Sequence, residues 1–323
     1  MGRGRIVRLA FLGTPDFAVP SLTRLHGAGH TIPIVLTQPD RPAGRGRKVS
    51  SSSVKRAALG RGLEVFQPEK LDEAAIRRIA SETVDAAVVV AYGLILPAAL
   101  LRLPPHGCLN LHASMLPRYR GAAPIAHAIL RGETTIGVTT LLMDEGIDTG
   151  PILLQEESPL GPEETAGEVE KRLADLGSGL LVETIEGIAS GRIVPRAQTV
   201  DRKTYAPKIG PETARIDWSS PPARIVNLVR AMNPRPGATA TLRGETFKIW
   251  RAAASAARRG EEERAASGTL LAGGGSPRVA CGEGGSVVLL ELQREGRRRV
   301  SGEEAVRGRW LAGGDFLGEA KAL

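Results

Sequence analysis

From Arg8 to about Leu142 the chain repeats one pattern, a short apolar run, a turn, then an amphipathic stretch. The runs "VRLAFLG", "TIPIVLT", "DAAVVVAYG" and "GVTTLLM" have strand length, and stretches near Val54 to Arg61 and Asp72 to Ser81 between them read as helices. Strands alternating with helices predict β-α units around a mostly parallel sheet with helices on its faces. In the first unit the strand ends at Gly13-Thr14-Pro15, Asp16 is the expected N-cap of the next helix, and Phe17, Leu22 and Leu25 its buried face. "DAAVVVAYG" is the expected central strand, covered on both sides. A long helix is expected from Thr165 to about Ile188, with Leu173, Leu176, Leu180 and Ile185 inward.

The alternation stops near Pro207. There an amphipathic stretch, "PARIVNLVRAMN", precedes short β-type runs, "TATLRG", "FKIW", "PRVAC" and "SVVLLEL", punctuated by glycine. Such spacing predicts a small barrel or sandwich, and "AAASAARRGEEERAAS" reads as a solvated excursion from it. The expected fold class is therefore α/β, a Rossmann-like domain with a mostly parallel sheet over 1–206 followed by a smaller β-barrel, OB-like domain over 207–323. The length of 323 residues suits two cores.

Several function classes fall away on simple grounds. The apolar runs are too short to span a bilayer, and the N-terminus lacks a signal-peptide core. Cys108 and Cys281 are the only cysteines, too few for a disulfide framework or a cysteine zinc site, and they fit a reducing, cytoplasmic setting. His26, His30, His106 and His127 show no metal-ligand spacing, so no metal is expected. No G-x-G-x-x-G follows the first strand, and "GRGRK" lacks the Ser or Thr of a phosphate loop, which disfavours a nucleotide-binding oxidoreductase.

In "GCLNLHAS" successive side chains alternate faces, placing Asn110 and His112 on one side and Leu109 and Leu111 on the other. The pair stands at the C-terminal end of its strand, where open α/β sheets take ligands. By spacing alone two readings stay open: groups that merely satisfy backbone hydrogen bonds, or a site. Asp148, in the turn-prone "MDEGIDTGPIL", is equally open between an Asx-turn and a functional carboxylate. Forty-three Lys and Arg against 35 Asp and Glu give a formal charge of +8, compatible with an anionic partner. "QPDRPAGRGRKVSSSSVK" reads as a long loop without helical or strand period, and its Arg41, Arg45, Arg47 and Lys48 meet no acid after Asp40. This is either a solvated charge run or a phosphate-contacting segment. "REGRRR" and Arg307 to Arg309 add basic clusters near the C-terminus.

"FLGTPDFAVPSL", "QPDRPAGRGRK", "VVVAYGLILP", "LNLHASMLPRYRGAAPI" and "MDEGIDTGPIL" occur in the order and spacing of the methionyl-tRNA formyltransferase family, which the chain resembles densely from Phe11 to Leu153 and more loosely through "YAPKI", "RIDWS" and "VRAMNPRPGA". The resemblance implies catalytic roles for Asn110, His112 and Asp148 and folate contacts at Ser114, Met115, Leu116 and Pro117. Met115 stands where the family pattern has leucine, a soft apolar exchange. The resemblance further implies 10-formyltetrahydrofolate as formyl donor, initiator methionyl-tRNA as acceptor, and tRNA contacts at Arg41, Arg45, Arg47 and Lys48. A monomer is expected. As chemistry, Asn110 and His112 would offer donors to a tetrahedral oxyanion, and Asp148 would orient His112 and support a proton relay. The alternatives are a formyltransferase acting on a small amine, which would need neither the basic loop nor a basic second domain, and a non-catalytic RNA-binding protein.

Overall fold

The structure, a computed structural model, describes residues 5–43, 48–199, 201–255, 265–273 and 275–318. Its contacts divide the chain into two compact units, one of Met1–Pro124, Thr135–Pro159 and Glu170–Pro207, the other of Ile125–Thr134, Leu160–Val169 and Lys208–Leu323.

The first unit is built on a seven-stranded sheet. Its strands are β1 (Arg8–Gly13), β2 (Thr31–Leu36), β5 (Val65–Phe66), β6 (Ala86–Val90), β7 (Cys108–His112), β8 (Thr135–Leu142) and β9 (Ile152–Pro159), in the spatial order β5-β2-β1-β6-β7-β8-β9. Five run parallel, and β8 and β9 are antiparallel additions at one edge. The fourth place falls to β6, all five residues of which are buried, as expected of a strand covered on both faces. The chain leaves β1 toward β2 and returns on its other side as β6, so a topological switch point opens between them.

Alternation along the strands sorts the core. Ala10, Leu12, Ile34, Leu36, Ala87, Val89 and Cys108 share one face with Ile79 of helix α3 (Glu73–Ala80) and with Leu100 and Leu101 of α4 (Ala98–Leu101). The opposite face is as well buried, at Leu9, Phe11, Val88 and Leu109. On that face Leu111 lies against Gly177 of α6 (Ala166–Ala189), where an added Cβ would come within 2.7 Å of its Cδ2. Helix α3 begins where its sequence says it should, since Asp72 accepts a hydrogen bond from Ala75 N at 3.0 Å and caps it.

Two local expectations are corrected in this unit, and one strand goes unforeseen. Asp16 caps nothing: it opens a 3-10 turn, Asp16–Ala18, and helix α1 (Val19–Gly27) follows with Ala18 before it, although Phe17, Leu22 and Leu25 are buried as expected. The basic loop contains a short antiparallel pair, β3 (Arg41–Ala43) with β4 (Lys48–Ser50), before helix α2 (Ser53–Leu59). β9 escapes periodicity because it is an edge strand, and edges carry charge, here Glu156 and Glu157, in place of a clean apolar alternation.

Helix α5 (Pro124–Leu130) lies between β7 and β8 in the chain, and in the second unit helix α7 (Pro222–Met232) precedes an antiparallel sheet of β10 (Ala238–Leu242), β11 (Glu245–Ser255), β12 (Arg278–Ala280), β13 (Ser286–Arg294) and β14 (Arg299–Ser301). β11 runs on through Ala252 to Ser255, residues expected to lie in a solvated excursion. Its register on β13 shifts between Ile249 and Ala252, and such bulges bend a sheet toward a barrel-like curl. Among the described residues no helix is long and apolar enough to cross a membrane.

Candidate active site

β7 places Asn110 beside Val89 of β6 and Leu141 of β8, and His112 beside Thr139 of β8. Both therefore stand on the face of Cys108, at the end of the strand where the apolar core gives way. The chain then turns through Ala113 to Gly121, and this turn does two things. Tyr119 presents its carbonyl to His112 Nε2 at 2.8 Å, and Gly121 N donates to Asp148 Oδ2, also at 2.8 Å. Gly121 adopts φ +113°, and an added Cβ would meet Ala206 O at 2.8 Å, so a side chain there would displace the amide that holds Asp148.

Asp148 reaches the site from a turn 38 residues downstream of Asn110. Its Oδ1 accepts from Asn110 Nδ2 at 3.4 Å, and its Oδ2 lies 3.6 Å from His112 Nδ1. The expected trio is thus brought together, with His112 6% exposed. Because a carbonyl oxygen only accepts, Nε2 of His112 carries the proton that bonds Tyr119, and Nδ1 is the nitrogen turned to the carboxylate. Asp148 has φ +53°, a left-handed conformation costing a non-glycine residue about 1–3 kcal/mol and held only where the surroundings impose it. Between two aspartates in one turn, the structure separates the roles. Asp144 makes the local Asx-type bonds, to Gly146 N at 3.0 Å and Thr149 Oγ1 at 2.6 Å, and Asp148 points away from its own loop to Gly121.

The segment Ser114 to Pro117 forms a fixed wall beside the trio. Thr139 Oγ1 donates to Ser114 O at 2.6 Å and Gln155 Nε2 to Leu116 O at 2.9 Å. Arg118 N donates to Met115 O at 3.1 Å and Thr204 N to Pro117 O at 3.3 Å. All four carbonyls accept within the chain, so a ligand here would meet second lone pairs and apolar surface. Met115 packs over Gly137 of β8, where an added Cβ would fall 2.5 Å from its sulfur. Two shielded polar atoms, Gln38 Nε2 and Tyr92 OH, have no hydrogen-bond partner, and their residues follow β2 and β6 beside the switch point. Thr14 ties these strand ends together, donating to Tyr92 O at 2.9 Å and accepting from Gln38 N at 3.3 Å. Burial pushes the Tyr92 phenol up to about 12. Tyr92 itself packs in the core cluster with Leu12, Leu36 and Leu100.

Of the basic loop, Arg41 is exposed and donates to Gln38 Oε1 at 3.3 Å, Lys48 belongs to β4, and Arg45 and Arg47 lie outside the described residues. Asp40 is withdrawn from the loop's charge balance. It pairs with Lys55 at 2.6 Å and with Gln67 at 2.8 Å, and the Lys55 hydrogen bond, then that of Gln67, hold its carboxyl below the usual range. In the second unit much of the basic cluster is also spoken for. Arg294 pairs with Glu245, Arg298 with Glu304, and Arg299 with Glu291 while stacking 3.7 Å from the centre of the Trp250 ring. The Arg297, Arg307 and Arg309 side chains are exposed. Among the described residues no group of three or more His, Cys, Asp or Glu could hold a metal ion.

A mostly parallel sheet ending in an Asn, His and Asp cluster is followed by a curled antiparallel unit, and the chain belongs to the formyl transferase family, a class of group-transfer proteins. The family's sequence profile matches residues 7–185, and that of the formyl transferase C-terminal domain matches 208–309. Its relatives include the methionyl-tRNA formyltransferase of Methylibium petroleiphilum, 49% identical over 307 residues covering 92% of this chain and 96% of the relative. That of Solibacter usitatus is 44% identical over 317 residues, covering 97% and 99%. Among solved structures, the N-formyltransferase from Helicobacter canadensis, in complex with folinic acid and dTDP-3-aminofucose, shares the fold at a TM-score of 0.64 and 18% identity, over 90% of this chain and all of that one.

Proposed function

We propose that this chain transfers the formyl group of 10-formyltetrahydrofolate to the α-amino group of methionyl initiator tRNA, acting in the cytoplasm as a monomer. The observation that carries the reading is the convergence of Asn110, His112 and Asp148 at the sheet's C-terminal end, in a chain that aligns along nearly its full length with relatives of that name.

The acceptor nitrogen must be uncharged to attack. A free α-amino group titrates at about 7.7 to 8.0, so a strong base is unnecessary near neutral pH. Its lone pair adds to the formyl carbon and the carbonyl electrons move onto oxygen. Asn110 uses one amide N–H toward Asp148 and has a second for that oxyanion. The proton released by the new ammonium passes to His112 Nδ1, which Tyr119 holds in place through Nε2 and which Asp148 faces. His112 returns it to the folate nitrogen as the carbon–nitrogen bond to the donor breaks, leaving tetrahydrofolate and the formamide. Ser114, Met115, Leu116 and Pro117 wall the donor's side of the site. Arg41, Arg45, Arg47 and Lys48 contact tRNA phosphates, with exposed Arg297, Arg307 and Arg309 as a second basic surface.

The test is incubation with charged initiator tRNA and 10-formyltetrahydrofolate, scored for formyl-methionine after ester hydrolysis, with free methionine and glycinamide ribonucleotide as control acceptors. Formylation of the tRNA-borne amine alone is expected. Transfer to a control acceptor at a comparable rate would overturn the choice of substrate.

A further inference from the structure

Asp148, left-handed in a glycine-rich turn, is kept at one angle by a segment with no chemistry of its own. Beyond α6 the chain passes the turn of Asp148 and then the turn after β7. Arg196 pairs with Ile152, N to O at 2.8 Å and O to N at 2.7 Å. Eight residues later Thr204 O accepts from Arg120 N at 2.9 Å, and Ala206 N donates to Arg120 O at 2.7 Å. Between these anchors stands Gln198. Its Nε2 donates to Asp148 O and to Gly150 O, both at 2.8 Å. Its Oε1 accepts from Nε and Nη2 of Arg120, at 3.1 and 2.7 Å.

Resting on the catalytic reading above, we propose that Gln198, oriented by Arg120, is a positioning residue for Asp148. The guanidinium fork is a donor only, so it turns the amide oxygen toward itself and commits the amide nitrogen to the opposite side. There the two carbonyls flanking Thr149 are acceptors only, and one NH2 group meets both. This clamps the left-handed turn at Asp148 from behind, and Gly121 N, one residue beyond Arg120, holds its carboxylate from the front. Arg120 is 7% exposed and Gln198 half-buried, so the guanidinium end of the brace is shielded from competing water. One side chain must be donor and acceptor at once, which glutamine satisfies and glutamate does not.

The test separates positioning from folding. Gln198→Glu keeps an acceptor for Arg120 but has no N–H for the two carbonyls, and Gln198→Ala removes both ends. In single-turnover formyl transfer each variant should lose about 30- to 100-fold in rate, the order expected when a catalytic group shifts by an ångström, with KM for tRNA and folate within about threefold of the parent. In an Asp148→Asn background the same changes should cost less than about threefold, because the group they position is already disabled. The ring ¹⁵N resonances of His112, assigned by their loss in His112→Ala, should move in Gln198→Glu without substrate present. A Gln198→Glu rate near that of the parent, an equal loss in both backgrounds, or unmoved His112 resonances in a folded variant would overturn the inference. If the parent formylates no methionyl-tRNA, the functional reading fails, and the resonances still decide this one.

Discussion

Gly150→Ala removes no polar group, yet the geometry predicts a severe loss of activity. A Cβ on residue 150 would lie 1.8 Å from Leu142 O, and real Cβ atoms essentially never come closer than 3.0 Å, so the backbone must yield by at least 3.0 − 1.8 = 1.2 Å. Leu142 ends β8, and its N–H is bonded to Pro151 O at 2.9 Å, so the turn itself must give. That turn carries Asp148 two residues earlier and is clamped by Gln198 on both of its carbonyls. A misplacement of about 1 Å can cost about 10²-fold in rate, or about 2.7 kcal/mol of barrier. Overpacking should also destabilise the fold by about 1–3 kcal/mol. The assay is single-turnover formyl transfer with enzyme in excess, well below the melting transition, beside thermal unfolding of the same sample. Gly27→Ala, where an added Cβ has nothing within 4 Å, is the matched control and should leave the rate unchanged. A Gly150→Ala rate within threefold of the parent would refute the claim that the 148–150 turn has a single productive position.

Other expectations follow from the same geometry. His112→Ala and Asp148→Asn should each lower the chemical rate by about 10² to 10⁴, the range for acid–base groups, and single-turnover rates within a few-fold of the parent would count against the trio. Reversing the charge of Arg45 and Arg47 should weaken tRNA binding and flatten its dependence on salt, with folate affinity unchanged, as read by filter binding across a salt series. Burial pushes the Cys108 thiol up to about 12, so a thiol-alkylating reagent at pH 8 should leave it unmodified until the protein unfolds and the group returns to about 8.5. The sign of the linked effect is set by which state loses its proton first. Between those values the unfolded chain does, so this group's contribution is full below about pH 8.5 and falls as pH rises toward 12.

Much of the fold was legible because its signals are local. A run such as Ala86 to Val90 declares a doubly buried strand by composition, and the stretch from Asp72 to Ser81 declares a helix by its period. Where the structure departs from the sequence reading, the backbone path or a pairing strand decides. Asp16 looks like a cap, but the chain makes a 3-10 turn first. Arg41 to Ala43 has no strand period and becomes extended only by pairing with Lys48 to Ser50. Ala252 to Ser255 reads as solvated and is held in a sheet by β13.

The same division runs through the site. Strand alternation, a property of the backbone alone, settled from sequence that Asn110 and His112 share a face and that Leu109 and Leu111 turn to the other. Sequence motifs singled out Asp148, but only the folded chain shows why that aspartate and not Asp144 reaches His112: one finds its donors inside its own turn, and the other finds Gly121, 27 residues away. Gln198 carries no periodic or motif signal, and Arg120, 78 residues away, lies inside a quoted motif that says nothing of its partner. Their relation exists only once two turns and the segment crossing them are stacked, since hydrogen-bond complementarity between distant segments is written in the path of the backbone and not in the neighbours along the chain.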